Sequence, residues 1–374
     1  NKAKAQDEFE MGKPDLLLQL PEPQSLPAEG VVDYRYVTVP TGLTEDKWVR
    51  AIDVEPTNRA VVHHALIFVI YPKEYRHIQP RSDGGLNGYF GAYLPGAIIK
   101  PFPQGSAQFL PKGSSFIFQM HYTPTGKAET DQTRMALYFA DGVPEKAYQI
   151  EAASDTDFRI PPNTEDTPVS ADQRFREAVE VYGLSPHMHY RGGRARFSAI
   201  TPDSNVQEML NVPFYQFDWQ PMYNFEKPIA LPAGSKMLVE GGFDNSANNP
   251  RNPNPNVWVY FGRQSFEEMF IGYVAYGVPY KPERYTPQAI DGSQYVGFGQ
   301  ELNAETIIGT KWALDREITL EFKADGIVMA NGALKAHWTL SHHDIYITSN
   351  LQDIWLSIIG DELFFQGHPV KRLQ

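Results

Sequence analysis

Apolar residues along the chain gather in short β-branched and aromatic runs punctuated by turn formers. Val61–Tyr71 (VVHHALIFVIY) is such a run, closed by Pro72. Ser115–Tyr122 (SFIFQMHY) leads into a Pro-Gly turn region at Thr123–Gly126, and Arg134–Phe139 (RMALYF) ends in Ala140-Asp141-Gly142. Similar runs follow at Ala178–Leu184, Ala195–Thr201, Lys236–Glu240, Val257–Phe261 and Met269–Tyr276. Runs of this length, bounded by Gly, Pro, Asn and Asp, are strand signals. Their close spacing predicts antiparallel β-sandwiches.

Three prolines and no periodicity mark Ile160–Val169 (IPPNTEDTPV), which we read as the neighbourhood of a domain boundary. Asn245–Asn256 (NSANNPRNPNPN) reads as a long irregular loop. Beyond Gly277 the pattern turns loop-like until about Ile307. A compact β pattern then resumes through Trp312, Ile318–Phe322, Trp338–Leu340, Ile345–Ile347 and Ile354–Ile359. The expectation is an all-β chain. It comprises an N-terminal extension (1–30), two antiparallel, jelly-roll-like sandwiches (31–158 and 159–290) and a small C-terminal β unit (305–374).

Composition sharpens this in few places. The 30 Pro, 29 Gly, 20 Tyr and 22 Phe suit loops and aromatic strands better than helical repeats. A net charge of −12 opposes the cationic face that a nucleic-acid binder needs. The one basic cluster, Arg191, Arg194 and Arg196, reads as a solvated strand edge. Cysteine is absent, which removes thiolate metal sites and cysteine nucleophiles. No apolar run approaches 18 residues, so no membrane-spanning helix is expected. The polar, Met-less start Asn1–Gly12 reads as a processed or engineered N terminus, or as a piece of a longer protein.

The candidate chemistry lies in histidine. Of ten histidines, five fall in three tight groups: His63-His64, His121, and His187-x-His189. On an extended strand, residues i and i+2 point to one face, so His187 and His189 can reach one ion. Adjacent His63 and His64 point to opposite faces of a regular strand, and share an ion only if the backbone twists or bulges. His121 then completes a three-imidazole site. The two-imidazole site needs a further donor, and Met269 is the candidate, in Glu267-Glu268-Met269-Phe270. A thioether suits Cu(I) and imidazole suits both copper states, whereas zinc gains little from a thioether. His337, His342 and His343 fall in the C-terminal unit, where His342 and His343 read as exposed turn histidines, while His77 and His368 lack partners at ligand spacing. Phosphate loops, Gly-x-Gly-x-x-Gly and Gly-x-Ser-x-Gly are absent from the sequence.

Taken together, Val62-His63-His64-Ala65-Leu66-Ile67-Phe68, Gln119-Met120-His121-Tyr122, Pro186-His187-Met188-His189 and Glu268-Met269-Phe270 resemble a known family in order and spacing. That family is the copper type II, ascorbate-dependent monooxygenases, which includes peptidylglycine and dopamine hydroxylating enzymes and bacterial relatives. The resemblance runs from about Val31 to Tyr280. It implies two β-sandwiches facing each other across a solvent-filled cleft, each with one copper ion. The electron-storing copper would be held by His63, His64 and His121. The copper that meets O2 and the C–H bond would be held by His187, His189 and Met269. Gln119 and Tyr273 match residues near the first copper and in the substrate pocket. Ascorbate or another external reductant would supply electrons for hydroxylating a small organic substrate, in an extracytoplasmic setting. A redox partner or additional fused domain is compatible with this.

Two departures narrow the substrate. Peptide-amidating members carry an arginine where this chain has Ser185, and a polar residue where it has Ile271. Peptidylglycine is therefore not the expected substrate. Their disulfides are also missing, which points to a bacterial-type relative. The alternative is a non-catalytic copper-binding β protein. A zinc hydrolase is a weaker third reading, because it leaves Met269 unused.

Overall fold

In the computed structural model, residues 9, 11–80, 88–95, 100–262, 264–289, 302–314, 318–349, 354–359, 361–365 and 368–373 are described. Most of the Asn1–Gly12 start, and the stretch around Gly297 and Gly299, lie outside them. The chain is nearly all β. Helix is confined to the short turns Lys73–Ile78, Pro282–Tyr285 and Ala304–Ile307 among the described residues.

Two sandwiches share one long sheet. In spatial order it contains Leu16–Gln19, Arg134–Phe139, Lys47–Glu55, Ser106–Leu110, Lys146–Asp155, Phe270–Pro279, Val179–His187 and Tyr223–Leu231. The halves join where Ser106 and Ala107 pair in parallel with Lys146 and Ala147. Lys146–Asp155 pairs along its whole length with Phe270–Pro279, and so lies in the half of the sheet that covers the second core. The leading strands Leu16–Gln19 and Gln24–Leu26 pair with Arg134–Phe139 and Glu129–Asp131, within the first sandwich.

Each half is covered by a four-stranded sheet. The first has the order Arg35–Pro40, Ser115–Tyr122, Val62–Ile70, Tyr89–Tyr93. Alternation turns Val37, Val39, Ala65, Ile67, Phe116 and Phe118 into the first core. The second has the order Thr167–Arg174, Lys236–Phe243, Gly192–Ile200, Val206–Val212, and encloses a core that includes Val181, Phe197, Val239 and Phe270.

The C-terminal unit is a nine-stranded antiparallel meander with its own core around Trp312, Phe322 and Ile345. It docks on the outward face of the first sandwich's four-stranded sheet, where Phe68, Ile70 and Ile117 meet Trp355 and Phe364. Buried Asp344 anchors this contact. It accepts from the Thr38 backbone N–H (2.8 Å) and the Thr38 hydroxyl (2.6 Å), and from Trp355 Nε1 within its own unit (3.0 Å). Burial raises its carboxyl from 3.8 to about 6 against those hydrogen bonds. Ion pairs Lys73–Asp361 (2.6 Å) and Arg76–Glu362 (3.0 Å) flank the contact.

Candidate metal centres

The outward face of the first four-stranded sheet carries docking residues at one end and histidines at the other. Pairing across Val62–Ile70 and Ser115–Tyr122 shifts between Val62↔Tyr122 and His64↔His121, leaving His63 as the extra residue of a bulge. That bulge lets adjacent histidines converge. The rings of His63, His64 and His121 lie 4.8–5.3 Å apart between centroids. Their ligand atoms lie within 4.8 Å of one another, and the three could hold a metal ion. Nδ1 of His63 and Nδ1 of His64 are 3.1 Å apart, while the buried Nδ1 of His121 has no hydrogen-bond partner. An imidazole–metal bond of ~2.0 Å puts nitrogens on one ion ~3–4 Å apart, so this donor set fits a small cation. Tyr34 packs on His64 and His121, with centroids at 5.9 and 4.7 Å. Gln119 lines the same wall and donates from Nε2 to the Tyr36 hydroxyl (3.2 Å).

The second group stands where Val179–His187 ends. Its register sets His187 opposite Ile271 and Ser185 opposite Tyr273, which brings Met269 beside the end of the His-x-His segment. Met188 turns into the second core while His187 and His189 face the pocket, as alternation predicts. Their rings stand 5.3 Å apart at 87°. Gln220 Oε1 accepts from His187 Nδ1 (2.6 Å) and the Glu267 carbonyl accepts from His189 Nδ1 (3.2 Å). Each bond fixes the tautomer and leaves Nε2 as the free donor atom. Met269 is buried and lines the pocket with both histidines.

A buried polar frame holds this group. Glu268 accepts from the backbone N–H of His189 (2.8 Å) and of Arg191 (2.6 Å). Burial raises its carboxyl from 4.5 to about 8, against those bonds and the nearby Arg191 charge. Arg191 is itself buried. Its Nε donates to Asn245 Oδ1 (2.8 Å) and its guanidinium also donates to the Phe266 carbonyl (2.8 Å). The solvated-edge expectation therefore fails for Arg191, because the His-x-His turn and the Asn-rich loop close over it. Arg194 and Arg196 do lie at the surface, paired with Asp166 and Glu240. Tyr215 pins the turn, its hydroxyl donating to the Met188 carbonyl (2.7 Å) and accepting from the Met188 N–H (3.0 Å). Gly192 is required here, since a Cβ would sit 2.6 Å from the Tyr215 ring and 2.7 Å from Met188 Cβ.

Both groups open onto one pocket, lined by His63, His64, His187, His189 and Met269 together with Gln119 and Tyr273. Tyr89 of the first sandwich stacks on Tyr273 of the second (5.2 Å, 29°), so the two walls touch. Between the groups stands Phe217, its ring 6.0 Å from His63 and 6.2 Å from His189. Burial lowers all five imidazoles. His121 falls to about 4 with help from His63, and His189 to about 3 with help from His187. His64 falls well below its usual value through burial and its histidine neighbours. His63 and His187 are lowered by burial against Asp218 and the Gln220 hydrogen bond respectively. At neutral pH these rings are uncharged with lone pairs to donate.

Sequence reading did not find Tyr34, Phe217, Gln220 or the role of Glu268. Gln220 and Phe217 sit in an irregular loop that has no period to interpret. Glu268 did carry a signal, being an acidic residue directly before the apolar run that starts at Met269. His342 lies in an exposed turn with φ 53° and His337 is exposed on its strand. His77 Nε2 lies 3.2 Å from the Arg284 carbonyl, and His368 is exposed on a short edge strand.

No protein-family model matches the chain, and no curated protein matches it. Among solved structures, the T13 viral particle of infectious bursal disease virus aligns with 74% of this chain and 81% of that chain, at 8% identity and TM-score 0.18. The VP2 subviral particle of the same virus aligns with 75% and 86%, at 8% identity and TM-score 0.18. Likeness at that level carries no argument about fold or function.

Proposed function

We propose that this chain is a copper-dependent monooxygenase that hydroxylates a C–H bond of a small organic substrate. The net reaction joins the substrate, O2, two electrons and two protons to give the alcohol and water. Ascorbate or another one-electron reductant supplies the electrons. The observation that carries this reading is convergence: His63 and His64, which cluster with His121, and His187, His189 and Met269 of the other sandwich line a single pocket.

The donor sets fit copper. His63, His64 and His121 would hold one ion, and His187, His189 and Met269 the other. Copper, when bound, supplies one-electron redox chemistry and O2 activation. The residues prepare this. Burial keeps the imidazoles neutral, while Gln220 and the Glu267 carbonyl fix the tautomers of His187 and His189. The Met269 thioether would favour the reduced ion, and a set of only three protein donors would allow O2 chemistry at that ion.

Metal content after stripping and reloading with copper under ascorbate is the test. We expect close to two coppers per chain, about one in His121→Ala and about one in His189→Ala. O2 uptake should require reductant and match hydroxylated product. Two coppers without coupled turnover would leave a copper-binding protein, and activity with zinc alone would overturn the reading.

A further inference from the structure

Hydrogen bonds with Gln220 and the Glu267 carbonyl orient the second histidine group. The first group has no such help. Among the described residues, no hydrogen bond reaches the rings of His63, His64 and His121 from outside the group. Packing orients them instead, chiefly Tyr34, whose ring lies 4.7 Å from that of His121 and 5.9 Å from that of His64. Whatever fixes Tyr34 therefore fixes two of the three donors. Tyr34 stands one residue before the strand Arg35–Pro40, where pairing with Ser115–Tyr122 has ended at Arg35↔Met120. The ladder itself does not hold it.

Tyr36, two residues on, is gripped twice by the C-terminal unit. Trp355 stacks on its ring (4.3 Å, 13°), and the Tyr346 hydroxyl donates to its carbonyl (2.8 Å). Tyr346 and Trp355 face each other across neighbouring strands, so the two grips are one surface. Trp355 is locked in turn by its bond to Asp344, the carboxylate that also holds Thr38. On its other side the Tyr36 hydroxyl accepts from Gln119, two residues before His121 on the adjacent strand. Tyr36, Leu66, Phe68 and Tyr89 line the pocket and also belong to the cluster that Trp355 and Phe364 complete. The layer that walls the metal pocket is thus the layer on which the C-terminal unit sits.

Apolar contact with Phe68, Ile70 and Ile117 would be enough to dock a unit that only adds stability. The double grip on Tyr36 does something further, because Tyr36 joins Gln119 on one strand to the segment that carries Tyr34. Donors held in a fixed arrangement lose less freedom when an ion binds, so outer contacts raise affinity. We propose that Trp355 and Tyr346 are positioning residues for the first metal group, acting through Tyr36 on Tyr34 and Gln119. The inference goes beyond the proposed function and rests on it only in taking the three histidines as a metal site.

The test uses the full chain carrying His189→Ala, in which the first group is the site read. Affinities for Cu(I) and for Zn(II) are measured by chelator competition, and Cu(II) is followed by EPR. Trp355→Ala should weaken both metals about threefold to tenfold, less than the 10–100-fold typical of a lost direct outer partner. It should also change the Cu(II) spectrum. Trp355→Phe keeps a flat ring on Tyr36 and should restore most of the affinity and the parent spectrum. Tyr346→Phe removes one hydroxyl and should cost about twofold; it reads the same effect if Trp355→Ala does not fold. Leu320→Ala opens the C-terminal unit's own core, away from Tyr36, and should lower the urea midpoint while leaving both affinities unchanged. Parent-like affinities in Trp355→Ala and Tyr346→Phe, or an equal loss in Leu320→Ala, overturn the proposal and make the unit a stabilising appendage. A Trp355 effect on zinc without copper uptake removes the monooxygenase reading and leaves the positioning role standing.

Discussion

The first histidine group stands on two neighbouring strands of one sheet, whereas the second is gathered from a strand end, the turn beyond it and the start of a distant strand. In the first, register and one bulge suffice: His64 sits opposite His121, and the extra residue His63 swings round to join them. In the second, the pairing of Val179–His187 with Phe270–Pro279 brings Met269 alongside but ends at His187. Glu268, Arg191, Asn245 and Tyr215 form the buried frame that holds the turn carrying His189. External support differs as well. The first group's sheet is backed on its outward face by the C-terminal unit, through Asp344 and the stacked pair Tyr36–Trp355 (4.3 Å, 13°). A metal site can thus be built from strand geometry alone or from a buried polar scaffold, and the two should fail differently.

The sharpest way to break this comparison is Glu268→Ala. It orphans two buried backbone donors, those of His189 and Arg191, at about 1–3 kcal/mol each. The expected loss of stability is about 4 kcal/mol in urea unfolding, with copper lost from the second group and retained by the first. Equal loss from both groups would mean that the frame supports the whole pocket.

Asp344 sharpens the other half. Its carboxyl titrates near 6 when folded, against 3.8 in an unfolded chain. A raised folded value means that the folded state holds the proton more tightly. Its contribution is therefore fully present below about pH 4 and is lost as pH rises through about 6. Two pH units at ~1.4 kcal/mol each give about 3 kcal/mol. Over the same range Glu268, raised to about 8, adds a loss of the same sign and the lowered histidines add a change of the opposite sign. The readout is therefore the difference in stability between the parent and Asp344→Asn, both metal-free, from urea unfolding at pH 4, 5, 6 and 7, which should fall by about 3 kcal/mol as pH rises. A parent–variant difference that does not change with pH would remove Asp344 as a pH-sensitive anchor on the face that carries the first group.

Gln220 offers a gentler probe. Losing an outer hydrogen bond to a ligating histidine typically costs 10–100-fold in metal affinity. Gln220→Ala should weaken one copper by that factor and leave the other unchanged, as read by competition with a chelator. Gln119→Ala should do less, because Gln119 bonds to Tyr36 and not to an imidazole.

What could be read in advance follows the same division. Strand alternation placed His187 and His189 on one face, and a shared ion at His63-His64 required a twist or a bulge, of which the structure contains the bulge. The all-β class was legible because short apolar runs with turn residues have few alternatives. Partnership between distant segments was not legible. Nothing local in Lys146–Asp155 says that it pairs with Phe270–Pro279, or that Leu16–Gln19 closes the edge of the first sandwich. Gln220 and Phe217 escaped because an irregular loop has no period, and its position is set by what packs against it.

Arg191, Arg194 and Arg196 condense that lesson, since sequence offers no reason to separate them. Arg191 fills a buried slot and bonds Asn245 and the Phe266 carbonyl. Arg194 and Arg196 point outward from the Gly192–Ile200 strand to Asp166 (3.1 Å) and Glu240 (2.6 Å), with side chains 42% and 49% exposed. Exposed pairs of this kind are worth about 0–1 kcal/mol, since water and salt screen the attraction and two long side chains must be ordered. Arg194→Ala and Arg196→Ala should therefore shift the urea midpoint barely, by under about 1 kcal/mol, and leave both coppers in place. Arg191→Ala leaves the Phe266 carbonyl and Asn245 short of a donor, so it should approach Glu268→Ala in cost and deplete the second group alone. If the two surface variants cost as much as Arg191→Ala, the scaffold of the second group extends across the whole strand. The distinction between a site held by register and a site held by a buried frame would then have to be redrawn.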